Sequence, residues 1–174
     1  MDELKKYIRS VPDFPKPGVN FYDLTTLFAD PVGFKTALDK MEEFVRSRKT
    51  QKILGIESRG FIIGAALADR MKLPFIVARK KGKLPYKTIS EDYALEYGTA
   101  SLEIHADAVS PGERVVIVDD LIATGGTLVA ACKLIERLRG EVAGISCIIG
   151  LVFFPFAEKL ADYDVNYLIS YDSE

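Results

Sequence analysis

The chain reads as two kinds of segment, one with apolar residues at helical spacing and one with short unbroken apolar runs, and their order predicts the architecture. Asp30 followed by Pro31 has the form of an N-cap with proline in the first helical turn. Phe34, Leu38, Met41 and Val45 then recur on one face, so a helix is expected to end near Arg48. The run Ile53-Leu54-Gly55-Ile56, a helical pattern from Phe61 to Met71, and the run Pro74-Phe75-Ile76-Val77-Ala78 form a βαβ signature. Residues 80–100 lose apolar periodicity until the alternating Ser101-Leu102-Glu103-Ile104, and are expected to form a long mobile excursion.

After the turn Ser110-Pro111-Gly112, the run Val115-Val116-Ile117-Val118 is continuously apolar and β-branched, as a strand covered on both faces should be. A helix from Thr127 to Arg139 is expected next, with Gly140 placed to end it, followed by strands at Ile145–Ile149 and Tyr167–Ile169. The expected fold class is therefore α/β: a doubly wound, mainly parallel five-stranded sheet with helices on both faces. No linker or repeat divides residues 1–174, which read as one domain with residues 1–30 as an N-terminal hood and 80–100 as a flexible lid.

Composition narrows the function classes. Of 174 residues, 48% are hydrophobic and 28% charged, and the formal net charge of −2 gives no general affinity for nucleic acid or an anionic membrane. The start lacks a basic end with an apolar segment behind it, so a cytoplasmic location is expected. Cys132 and Cys147 lack metal-ligand spacing and read as small buried core residues, which fits a reducing compartment. His105 has no second His or Cys near it and receives no role.

In an open α/β sheet, ligands bind beyond the carboxyl ends of the strands, which points to Asp119-Asp120-Leu121-Ile122-Ala123-Thr124-Gly125-Gly126-Thr127. Two glycines let the backbone approach a ligand, and a helix starting there aims unpaired N–H groups and partial positive charge at the same point. Ala123 to Thr127 would hold a monophosphate, while Asp119 and Asp120 can accept hydrogen bonds from sugar hydroxyls. Phosphate plus diol implies a ribose phosphate; the bland reading is a tight turn with its caps.

Residues 115–127 resemble the phosphoribosyl pyrophosphate signature of the type I phosphoribosyltransferases. Pro12-Asp13-Phe14-Pro15-Lys16-Pro17-Gly18, Glu57-Ser58-Arg59-Gly60-Phe61, Arg79-Lys80-Lys81-Gly82-Lys83-Leu84-Pro85 and Leu95-Glu96-Tyr97-Gly98 resemble, in the same order, the adenine-using branch of that family. The resemblance implies transfer of a 5-phosphoribosyl group to adenine with release of pyrophosphate, dependence on Mg²⁺, and a homodimer in which Arg79 reaches the neighbouring site. The expected partners are small molecules only. The two acids Asp119 and Asp120 would meet the metal indirectly, with Mg²⁺ held mainly by the phosphoribosyl pyrophosphate and water.

Glu57, Ser58 and Arg59 end the first sheet strand, so the loop's amides and Arg59 would face the crevice and bind pyrophosphate; a helix-capping turn with a surface Arg is the alternative. The resemblance further implies a cis peptide at Glu57-Ser58. Arg79, Lys80 and Lys83 form the one basic cluster, suited to stabilising a departing pyrophosphate, although a solvated face has the same composition. Tyr93, Glu96 and Tyr97 are the informative lid members, since a closed lid would keep water from an activated ribose.

By resemblance, Glu96 would exchange a proton with the purine imidazole, and Arg59 and Tyr97 are the other catalytic candidates. Asn20, Phe21, Tyr22 and Phe154 are the base-pocket candidates, with Phe21 suited to stacking or, equally, to the core. The chain departs from the commonest family pattern at Tyr22, where a basic residue is frequent, at Gly150, where Glu is usual, and across Phe154–Leu160. Two other readings stand beside this one. A 6-oxopurine transferase would call for a Lys donor in the base loop, and none precedes Phe156; a regulator that senses phosphoribosyl pyrophosphate would call for an added DNA-binding unit or a basic face.

Overall fold

A computed structural model of the chain describes residues 2–94 and 98–172. A 3₁₀ turn at Asp2–Tyr7 leads into β1 (Arg9–Val11), which pairs antiparallel with β2 (Phe21–Asp23) in a small two-stranded sheet of its own. There follow α1 (Thr25–Ala29), α2 (Pro31–Ser47), β3 (Lys52–Ile56), α3 (Arg59–Met71), β4 (Phe75–Lys80), β5 (Thr88–Ala94) and β6 (Thr99–His105). The chain continues through β7 (Arg114–Ile122), α4 (Gly126–Arg137), β8 (Glu141–Leu151), α5 (Phe156–Lys159) and β9 (Val165–Tyr171).

The main sheet has seven strands in the order β5-β6-β4-β3-β7-β8-β9. Strands β4, β3, β7, β8 and β9 are parallel neighbours, giving the five expected parallel strands. Much of the segment expected as a long mobile excursion is built into strands: β5 and β6 form an antiparallel hairpin paired from Thr88↔His105 to Ala94↔Thr99, and β6 adds to the edge at β4. This hairpin rests on α4 through Glu91, which pairs with Lys133 and Arg137 at 3.2 Å each.

Alternation along β7 divides the core between the two faces. Val116 and Val118 join the cluster formed with Leu38 and Met41 of α2 and Ile63 and Leu67 of α3. Val115 and Ile117 join the other, with Leu128, Leu134 and Ile135 of α4. All of these but Leu38 and Leu128 are wholly buried. Asp30 caps α2 as expected, its carboxylate accepting from the N–H groups of Val32 and Gly33 at 2.9 and 2.8 Å. The left-handed residue ending α4 is Arg139 (φ 64°) rather than Gly140. Both cysteines are free and buried, and burial, followed by the charge of Glu136, pushes the Cys132 thiol up to about 12. Among the described residues, no helix is long and apolar enough to cross a membrane.

Candidate active site

Because β4, β3 and β7 run parallel side by side, the segments that follow them emerge at one end of the sheet. Strand β7 carries Asp119 and Asp120 in its last turns of pleat and delivers the chain into the loop before α4. Gly125 makes the N-cap with φ 78°, a left-handed conformation that glycine adopts without strain, and a Cβ there would stand 3.2 Å from that of Phe156. The first amide that turns back into α4 is that of Val129, bonded to the Gly125 carbonyl at 3.0 Å, so the preceding amides point out of the helix end. The hairpin seats on this turn: a Cβ on Gly126 would stand 3.0 Å from the Ala94 carbonyl oxygen.

Two recesses meet at the end of β7. One, of about 500 Å³, is lined by Ala123, Thr124, Gly125, Gly126 and Thr127, with Phe154 on its wall. The other, of about 310 Å³, is lined by Glu57, Ser58, Arg59, Lys80, Tyr93 and Asp120. Asp119, Leu121 and Thr127 belong to both. A ligand with anionic groups at both ends could thus place one in each recess, with its middle at the acids.

Gly60 sets how close the second recess lies to the acids. A Cβ on it would stand 2.8 Å from the Val118 carbonyl oxygen and 2.9 Å from Asp119 Oδ1, so the N-terminus of α3 packs directly on β7. The Glu57-Ser58 peptide is cis, as the resemblance implied. Arg59, the first residue of α3, donates through Nε to the buried Asp120 carboxylate. Asp119 carries the opposite electrostatic load: burial, then the charge of Asp120, raises its carboxyl well above the usual range.

The basic cluster is organised around Glu57. Arg79 donates Nε and Nη2 to it at 3.2 and 3.1 Å, and the Lys80 amide donates at 3.1 Å. The Arg79 contact holds the Glu57 carboxyl below its usual range. Arg79 also bonds the Lys83 carbonyl at 3.1 Å, so within its own chain it is committed to this loop. Lys80 lines the recess, whereas Lys83 is exposed and does not. Sequence reasoning missed Glu103, which is buried and accepts from the amides of Lys83 and Leu84 at 3.0 and 2.9 Å, fixing the loop from beneath. Tyr93, expected as a lid residue, lines the second recess. Glu96 and Tyr97 lie outside the described residues.

The base-pocket candidates separate by strand alternation. Phe21 lies edge-on to Phe14 at 5.2 Å between centroids, and the Arg59 guanidinium stands 5.7 Å from its ring. Asp23, two residues on, also feels Arg59: hydrogen bonds from Thr25 lower its carboxyl first, with the charges of Arg9 and Arg59 adding to them. Tyr22 points the other way, is 7% exposed and stacks on Tyr171 at 3.7 Å. The Tyr22 side chain is therefore packed in the core, because consecutive strand residues face opposite sides. Asn20 accepts the Ser10 hydroxyl through its amide oxygen at 2.7 Å.

The other departures form one packing unit. Phe156 is buried and meets Tyr167 edge-on at 5.9 Å, and a Cβ on Gly150 would stand 2.8 Å from the Tyr167 ring. The aromatic pair therefore takes the room a larger residue at 150 would need. Among the described residues no group of three or more His, Cys, Asp or Glu could hold a metal ion. Of the two acids, Asp120 is ion-paired with Arg59 and Asp119 is held toward its neutral form, so neither is free to ligate a metal directly.

Residues 26–167 match the family described as "Phosphoribosyl transferase domain". The adenine phosphoribosyltransferase of Brachyspira hyodysenteriae is 55% identical over 169 residues, covering 97% of this chain and 99% of its own. The crystal structure of the Thermoanaerobacter pseudethanolicus adenine phosphoribosyltransferase superposes with a TM-score of 0.94 at 47% identity, covering 98% and 99% of the two chains. The Saccharomyces cerevisiae adenine phosphoribosyltransferase, crystallised with D-2,5-dideoxy-2,5-imino-altritol 1,6-bisphosphate and adenine, superposes with a TM-score of 0.90 at 36% identity, covering 97% of each. With that likeness over nearly its whole length, and with paired recesses sharing one acid, the chain belongs to the adenine phosphoribosyltransferase family.

Proposed function

We propose that this protein transfers the 5-phosphoribosyl group of phosphoribosyl pyrophosphate to adenine, giving AMP and pyrophosphate, a purine salvage reaction. The observation that carries the reading is the pair of recesses joined at Asp119 and Thr127, since the donor substrate has a phosphate at one end and a diphosphate at the other. The amides of Ala123 to Thr127 and the start of α4 receive the 5′-phosphate. Asp120 and Asp119 bind the ribose hydroxyls, and Arg59, Lys80 and the amides of Glu57 and Ser58 receive the pyrophosphate. Mg²⁺ bound to the donor substrate would neutralise charge on that leaving group.

Phe21 and Phe154 supply aromatic faces for the base, and the backbone around Asn20 and Tyr22 supplies polar groups for its edge. As N9 bonds to C1′, the C1′–oxygen bond breaks and its electron pair leaves with pyrophosphate. The N9 proton must be taken up, and Glu96 is the group assigned to accept it, with Tyr97 a further catalytic candidate. Holding nucleophile and leaving group in line supplies much of the acceleration. A homodimer in which Arg79 reaches the neighbouring site belongs to this reading; within its own chain Arg79 is paired with Glu57.

The test is a base panel. Purified protein with phosphoribosyl pyrophosphate and Mg²⁺ is given adenine, hypoxanthine, guanine, xanthine, uracil and orotate in turn. Nucleotide from adenine, with the 6-oxopurines at least about a hundredfold poorer, is the expected result; nucleotide from another base and none from adenine would overturn the substrate assignment.

A further inference from the structure

Tyr171, the last residue of β9, touches both sides of the base region without lining either recess. Its ring stacks on Tyr22 at 3.7 Å between centroids and 20° between planes. Tyr22 is the central residue of β2, and its neighbours Phe21 and Asp23 both face Arg59. The main chain of Tyr171 reaches the opposite wall: its carbonyl accepts the Val152 N–H at 2.9 Å, and it pairs in register with Leu151, three residues before Phe154.

Strand β2 belongs to a two-stranded sheet that shares no ladder with the main sheet. Its position against the crevice therefore depends on side-chain packing, and a stacked aromatic pair has a preferred separation and orientation. Lys5 adds to the clamp from the 3₁₀ turn, its ammonium 5.2 Å from the Tyr171 ring centroid. Burial, and then the neighbouring Tyr22, raises the Tyr171 phenol above its usual range, so Tyr171 stays uncharged at neutral pH.

We propose that Tyr171 is a positioning residue for base recognition, holding Phe21 at a set distance from the strand end that carries Phe154. The role rests on the adenine-transfer reading and concerns only how the acceptor is held. The phosphate cradle stands at the start of α4 and Arg59 at the start of α3, and the stacked pair reaches Arg59 only through Phe21 and Asp23. Acceptor and donor binding should therefore respond differently to its loss.

Tyr171→Leu and Tyr171→Phe are compared with the unaltered protein by steady-state kinetics in both substrates and by thermal melting. Tyr171→Leu should raise the KM for adenine about tenfold while the KM for phosphoribosyl pyrophosphate stays within about twofold, and Tyr171→Phe, which keeps the stack, should behave as the parent does. Tyr22→Leu should reproduce the leucine result from the other side of the pair. An unchanged adenine KM in either leucine variant would overturn the proposal. So would an equal rise in both KM values, or loss of cooperative melting, since each would make Tyr171 a general core residue. Adenine turnover by the parent protein reports separately on the transfer reading.

Discussion

Arg59 and Asp120 form an ion pair across the floor of the crevice, joining the loop assigned to pyrophosphate with the acid assigned to ribose. Each is the other's charge partner before substrate arrives, so binding exchanges one ion pair for two sets of substrate contacts. Removing either partner leaves the other exposed to uncompensated charge. Asp120→Asn should lower kcat/KM for phosphoribosyl pyrophosphate by about a hundredfold or more, with a smaller effect on the KM for adenine. Initial rates with each substrate varied in turn check this.

Asp119 should show the opposite stability signature from an ordinary paired carboxylate. Its folded pKa is raised, by burial and then by Asp120, so the folded state gives up stability as pH climbs from the unfolded pKa through the folded one. Asp119→Asn removes that penalty. The variant should melt about 3 °C higher than the parent at pH 7, with the two converging near pH 4, while losing activity because a ribose acceptor is gone. Melting curves between pH 4 and 8 decide it.

Glu103 runs the other way. Burial alone would raise its carboxyl, but the amides of Leu84, Gly82 and Lys83 and the Thr88 hydroxyl together hold it below the usual range. A depressed folded pKa gives stability that is present above the unfolded pKa and lost as pH falls through the folded one. Glu103→Gln should therefore destabilise by about 2 kcal/mol at pH 7, with the difference shrinking below about pH 4.5. Because the basic loop hangs from this carboxylate, the KM for phosphoribosyl pyrophosphate should rise as well.

Gly125 offers a test of the cradle itself. Its φ of 78° and the 3.2 Å approach of Phe156 leave no room for a methyl group without shifting the turn. Gly125→Ala should weaken AMP binding by about tenfold or more at a stability loss of about 1 kcal/mol. Calorimetric titration with AMP, alongside a melting curve, separates the two effects.

What the sequence revealed is what local chemistry determines. The Asp30-Pro31 start of α2, the β-branched run of β7 and the glycine turn before α4 each carry their reason within a few residues. The hairpin β5–β6 does not, because its polar strands Thr88–Ala94 and Thr99–His105 are held by pairing with each other, by β4 and by ion pairs to α4. Glu103 looked like the polar half of an alternating strand; only the return of residues 82–84 over it makes it a buried anchor. The side that the Tyr22 ring faces depends on Tyr171, 149 positions later, which no local pattern around Asn20 to Asp23 reveals.

The reading stands on residues 123–127 being an anion cradle with the acids beside it holding a pentose. A crystal structure with AMP tests this most directly. The account predicts the 5′-phosphate oxygens about 3 Å from the loop amides and the ribose hydroxyls at Asp119 and Asp120. A nucleotide bound elsewhere, with no phosphate at the loop, would contradict it.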